Sequence, residues 1–184
     1  MQKTARKFLA AAASLLFSGF FCFAQDSLPD GFKKLRFGMS VDQVKDELKK
    51  DLNFGYRGDR DVSLLPGENR ILIETDTSKT APYSILERCW FQFSEDQLYI
   101  ITINVNPAKM DYYSIFTTLC HKYGEPDKIS PESATWKNDE YTMSLEKPLA
   151  LKYMDNKIFD SLKQYSNVQK SGEEITRQMF LDEL

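Results

Sequence analysis

The segment from Ile85 to Val105 constrains the fold more than any other. Ile85 to Phe93 and Leu98 to Val105 are two runs dense in aromatic and β-branched residues, with Ser94 to Asp96 as the turn between them. Such runs pair as antiparallel strands. A lone hairpin is marginal in water, so the chain must supply more strands and a covering layer. Successive strand residues point to opposite faces. Cys89, Phe91 and Phe93 therefore share one face, as do Tyr99, Ile101, Ile103 and Val105. These apolar sets should meet the covering helices, which turns Trp90, Gln92, Ile100, Thr102 and Asn104 to the other side.

Two stretches qualify as cover. Ser40 and Gln43 form a capping box ahead of a helix from Val41 to Lys50, with Met39 and Val44 spaced as a hydrophobic staple. Val41, Val44 and Leu48 line one helix face, and Asp42, Lys45, Lys49 and Lys50 take the others. Residues 51 to 69, with Pro66 and Gly67, read as a loop, followed by a short strand at Arg70 to Glu74 and a second loop from Asp76 to Pro82. Beyond the hairpin, Met110 and Ile115 bracket Asp111 as another staple and cap. Tyr112, Ile115, Phe116, Leu119, Cys120 and Tyr123 follow at helical spacing, and Gly124 and Pro126 end the helix.

Three short strands come next, Ala134 to Trp136, Tyr141 to Leu145 and Leu149 to Met154, with a turn at Lys137 to Glu140. Parity groups Tyr141, Met143 and Leu145 inward and leaves Thr142 and Ser144 outward. Helix followed by hairpin thus occurs twice. The predicted fold class is α+β: an antiparallel sheet with helices packed on one face, two helix-plus-hairpin units, and C-terminal helices closing an end. In the tail, Asn156 to Leu184, one stripe holds Ile158, Leu162 and Tyr165, and another holds Ile175, Met179 and Phe180 beyond a break at Ser171 and Gly172. The tail is read as packing helices, with a partner-binding arm as the alternative.

The start of the chain reads as a secretory signal. Lys3, Arg6 and Lys7 precede an apolar run from Phe8 to Phe23, shorter than the roughly 20 apolar residues a membrane span takes. Cleavage is expected after Ala24, leaving a tandem domain over residues 25–155 and the tail over residues 156–184. A lipid anchor at Cys22 is disfavoured, because Phe20 and Phe21 stand where lipoprotein processing wants small residues. Loss of three positive charges takes the formal net charge from −3 to −6, which gives no electrostatic footprint for nucleic acid. Export to the periplasm, with secretion as the alternative, would let Cys89 and Cys120 form a disulfide; two buried thiols fit the sequence equally.

Little here resembles an active site. His121 is the only histidine, so multi-histidine zinc sites and His-Glu-x-x-His helices lack their parts. It adjoins Cys120, and helix neighbours point about 100 degrees apart, a poor placement for a nucleophile and its base. The acid pairs Asp59 with Asp61, Asp139 with Glu140, and Glu173 with Glu174 lie in stretches that read as solvated. No catalytic group, metal or cofactor is therefore expected.

Six positions carry a resemblance. Gly38, Met39 and Val44 open the first unit, and Gly124, Pro126 and Trp136 close the helix of the second and start its next strand. In this the chain, over about residues 33 to 154, resembles the β-lactamase-inhibitor-like fold shared with the SmpA/OmlA (BamE) outer-membrane assembly lipoproteins. The tandem arrangement is closer to the two-repeat inhibitor proteins. The first unit lacks the Gly-x-Pro after its helix, and the poor lipoprotein cysteine departs from the assembly lipoproteins. The resemblance implies a protein partner gripped by the open sheet face. The expectation is thus a non-enzymatic exported binding module for an envelope or secreted protein, using Trp90, Gln92, Ile100, Thr102 and Thr142. A small-ligand or lipid carrier is the competing reading.

Overall fold

The computed structural model describes residues 27–65, 69–78 and 80–182, with the backbone alone for residues 167–175 and 182. The leader, Cys22, and Pro66 and Gly67 of the first loop lie outside the described residues.

Two short strands, β1 (Gly31–Phe32) and β2 (Leu35–Arg36), pair first and are followed by α1 (Val41–Lys50). The cap of α1 forms as the sequence dictates: the Ser40 hydroxyl accepts the Gln43 amide and the Gln43 side chain accepts the Ser40 amide. Then come β3 (Val62–Leu64), β4 (Arg70–Asp76), β5 (Leu86–Ser94) and β6 (Gln97–Val105). The loop read over residues 51 to 69 therefore hides one edge strand, whose Val-Ser-Leu alternation is only three residues long and too short to mark a strand by itself.

The second helix, α2 (Tyr112–Tyr123), is capped by Asp111 and followed by β7 (Lys128–Ile129), β8 (Ser133–Lys137), β9 (Tyr141–Glu146) and β10 (Ala150–Asp155). A helix then four strands occurs twice. The strands form one antiparallel eight-stranded sheet, ordered β3-β4-β5-β6-β10-β9-β8-β7. Each half is a meander, and the halves meet through their last strands, with Thr102 opposite Lys152 and Asn104 opposite Ala150. The order reads the same from either edge, so an approximate two-fold axis runs through the β6–β10 seam.

One face of this sheet is the core. Ile73, Cys89, Phe91, Phe93, Ile101, Ile103, Met143, Leu145 and Trp136 are buried there. The two helices cover separate halves. α1 sits over the first, where Gly38 and Met39 exchange backbone hydrogen bonds with Leu98, and Asp96 of the β5–β6 turn accepts the Val41 amide. α2 sits over the second, where Phe116 packs on Trp136 and the Trp136 indole N–H donates to the Gly124 carbonyl at 2.8 Å. The β1–β2 hairpin bridges the halves, with the Phe32 ring against both Phe54 and Tyr153. Only glycine fits at position 31, because a Cβ there would lie 2.0 Å from the Leu35 carbonyl oxygen.

The tail differs from expectation. It is one helix, α3 (Asn156–Asp182), continuous through Ser171 and Gly172. Glycine costs a helix about 1 kcal/mol but does not break it. Nor does α3 close an end: beyond Leu162 every described side chain is exposed.

Candidate functional site

The face opposite the core carries no helix among the described elements, and strand pairing arranges its side chains in three rows. The first runs Leu72, Gln92, Ile100, Met154, Thr142 and Lys137; the second Glu74, Trp90, Thr102, Lys152, Ser144 and Thr135; the third Asp76, Arg88, Asn104, Ala150, Glu146 and Ser133. With strands about 4.8 Å apart, each row of six spans roughly 24 Å.

Of the side chains expected to meet a partner, Trp90 and Thr102 are half-buried neighbours in the middle row, available at the surface. Gln92 is half-buried too, but its side-chain oxygen accepts from the Tyr99 hydroxyl, which in turn accepts from Arg70. Thr142 shares the face, yet its hydroxyl is committed to Asn156 at 2.6 Å, at the root of α3. Ile100 is a correction: it points outward but is only 4% exposed.

A β-bulge explains Ile100 and a second miscount. Gln92 pairs with Ile100, while Phe93 pairs with Leu98, which leaves Tyr99 as the extra residue. Leu98 takes the inward place that strict alternation gives to Tyr99. Tyr99, 1% exposed, bonds instead to Gln92 and Arg70. That corner of the outer face is thus filled by its own side chains.

The open part centres on Trp90. A groove of about 300 Å³ beside it is lined by Asp76, Ser78, Glu87, Arg88, Trp90 and Asn104. Arg88 lies between Glu74, 3.6 Å away, and Asp76, 3.7 Å away. The Ser78 hydroxyl and amide, helped by Arg88, hold the Asp76 carboxyl below the usual carboxylate range. Lys152, two strands from Trp90 along the same row, is half-buried, with no salt bridge among the described residues. Glu74, Arg88 and Lys152 were absent from the sequence-derived site. Carrying the parity count one step back along β5 from Trp90 to Arg88, and into β4 and β10, where Lys152 separates Leu151 from Tyr153, would have found them.

Cys89 and Cys120 are both free thiols. Cys89 lies under the first half beside Thr75, whereas Cys120 rides on α2 over the second half, so the bridge that the sequence allowed is not formed. Burial pushes the Cys89 thiol up to about 12. His121 is exposed near the end of α2. Among the described residues, no three His, Cys, Asp or Glu side chains converge as metal ligands, and no helix is long and apolar enough to cross a membrane. A second groove, about 360 Å³, lies between the β1–β2 turn and the end of α1, lined by residues that include Lys33, Lys50 and Phe54.

One protein-family model, described as the TP0088 domain, matches residues 30–165. No curated protein and no solved structure matches the chain.

Proposed function

The chain belongs to the TP0088 domain family, and we propose that it is a non-enzymatic, exported protein-binding module whose outer sheet face takes a protein of the cell envelope. One observation carries this reading: α1, α2 and the β1–β2 hairpin cover the inner face, while the opposite face of the eight-stranded sheet stays half-exposed around Trp90. A tryptophan among Thr102, Asn104 and other small polar groups has the make-up of an interface anchor with a polar surround. The inhibitor-like proteins that the sequence resembles use an open sheet face in the same way.

The test is photo-crosslinking in cells from position 90, read with Trp90→Ala. The expected result is one dominant adduct with an envelope protein, and a capture that falls roughly tenfold or more in Trp90→Ala while the thermal midpoint barely moves. A large loss of stability with capture unchanged would mean that Trp90 is a packing residue and the reading is wrong.

A further inference from the structure

The margin of the outer face beside Trp90 carries an irregularity that alternation along β5 would not give. Leu86 pairs with Val105 and Arg88 with Asn104, so Glu87 is an extra residue in a β-bulge. Strict alternation back from Cys89 would turn Glu87 into the core. The bulge instead sends Leu86 inward, where it is 8% exposed, and leaves Glu87 and Arg88 both on the outside. Thr77 secures it: its amide donates to the Glu87 carbonyl, and its hydroxyl bonds to the Leu86 and Glu87 carbonyls.

Bulges of this kind re-aim side chains, and here the result is the groove of about 300 Å³. Its volume falls at the lower end of small-molecule sites. Asp76, Arg88 and Asn104 stand side by side on β4, β5 and β6, a row of planar polar groups roughly 10 Å long. The Trp90 indole lines the groove with them. These polar groups are not used up. Arg88 lies 3.6 and 3.7 Å from its two acids, beyond hydrogen-bond length, so its N–H groups stay available. The Glu87 carboxylate and the Asn104 amide have no side-chain hydrogen-bond partner among the described residues.

The donors and acceptors specify the ligand. Arg88, Asn104 and Ser78 can donate, while Asp76, Glu87 and Asn104 can accept. Among the described residues around the groove, Glu74, Asp76 and Glu87 outnumber Arg88, which disfavours phosphates and other anions. Walls this polar offer an acyl chain little to bury. A ligand whose hydroxyls both donate and accept satisfies the whole set, since adjacent hydroxyls can share one planar carboxylate, amide or guanidinium. Its C–H groups would lie on the negative face of the indole. We propose that this groove binds a neutral saccharide, as a site additional to the protein surface and sharing Trp90 with it.

The test is titration of the purified protein with neutral trisaccharides of glucose, galactose, mannose and N-acetylglucosamine, read by tryptophan fluorescence and by calorimetry. Trp136, the other tryptophan, is 2% exposed, so a fluorescence change reports on Trp90. At least one trisaccharide should bind saturably, with a dissociation constant of about 1 mM or below. Glu87→Gln and Asn104→Ala should each weaken that binding roughly tenfold, and Trp90→Ala by at least as much in calorimetry, with the thermal midpoint unchanged in all the variants. No saturable binding by any of these saccharides would overturn the inference. So would binding indifferent to Glu87→Gln or to Asn104→Ala, or a preference for trigalacturonate, an anionic trisaccharide. The purified chain suffices here, so failure is distinct from failure of the crosslinking in cells, which reads the protein surface.

Discussion

Cys89 gives the sharpest quantitative test of the core. Its thiol is fully buried between β4 and β6, and burial raises its pKa from 9.0 to about 12, outweighing the opposite pull of Thr75 and Lys33. The folded value therefore lies above the unfolded one. The stabilisation is fully present below pH 9 and is lost as pH rises toward 12, because the unfolded chain releases its proton first. Each unit of pH in that window costs about 1.4 kcal/mol, so the shift of three units amounts to roughly 4 kcal/mol at its upper end. Urea denaturation between pH 8 and pH 10.5 in wild type and Cys89→Ala reads this directly. Tyrosines whose unfolded-state titration overlaps this range, buried Tyr153 among them, are common to both proteins and cancel in the difference. The wild-type stability should fall more steeply above pH 9, by an amount approaching that slope. Parallel curves would refute the reasoning, and so would rapid alkylation of Cys89 in the native protein at pH 8.

Two further outcomes follow from the packing and the charges. Trp136→Phe removes the donor to the Gly124 carbonyl and part of the ring that Phe116 packs on; it should cost about 1.5–3 kcal/mol in urea unfolding. At the acid end, burial pushes the Asp51 carboxyl up, but Lys33 and Asn53 outweigh it and leave it below the usual range, and Asp76 is lowered by Ser78. Both contribute stability that is present above the ordinary carboxylate pKa and lost as pH falls through the depressed one. The urea midpoint should hold from pH 7 to about pH 5 and drop below about pH 4, with part of the drop removed in Lys33→Met.

Much of this architecture was legible in the residues. Both caps, both main helices and the strands of the central hairpin stand where local chemistry places them, because Ser40, Gln43, Asp111 and Gly124 act within a turn of their own position. Two kinds of feature escaped. Val62–Leu64 and Lys128–Ile129 pair with a neighbour's edge, and runs of three and two residues are too short to mark a strand by themselves. The bulge at Tyr99 shifts parity by one, and alternation counted along a single strand has no means of detecting it. For the candidate site, Trp90 and Thr102 were read correctly as outward neighbours. Ile100 was misjudged because its burial depends on the displaced Tyr99 beside it, and Lys152 was passed over because its strand was read for its apolar residues.

The seam between β6 and β10 also bears on how the chain is made. Within each half, successive strands are joined by short connections and can zip quickly. The seam cannot: β6 ends at Val105 and β10 begins at Ala150, so the first half is complete well before its neighbour strand exists. During that interval β6 is an open edge bearing Ile100, Ile101 and Ile103, the kind of edge that templates unwanted pairing. A chain truncated within residues 106–150 would keep that edge open for good, and it should aggregate more readily than the full chain.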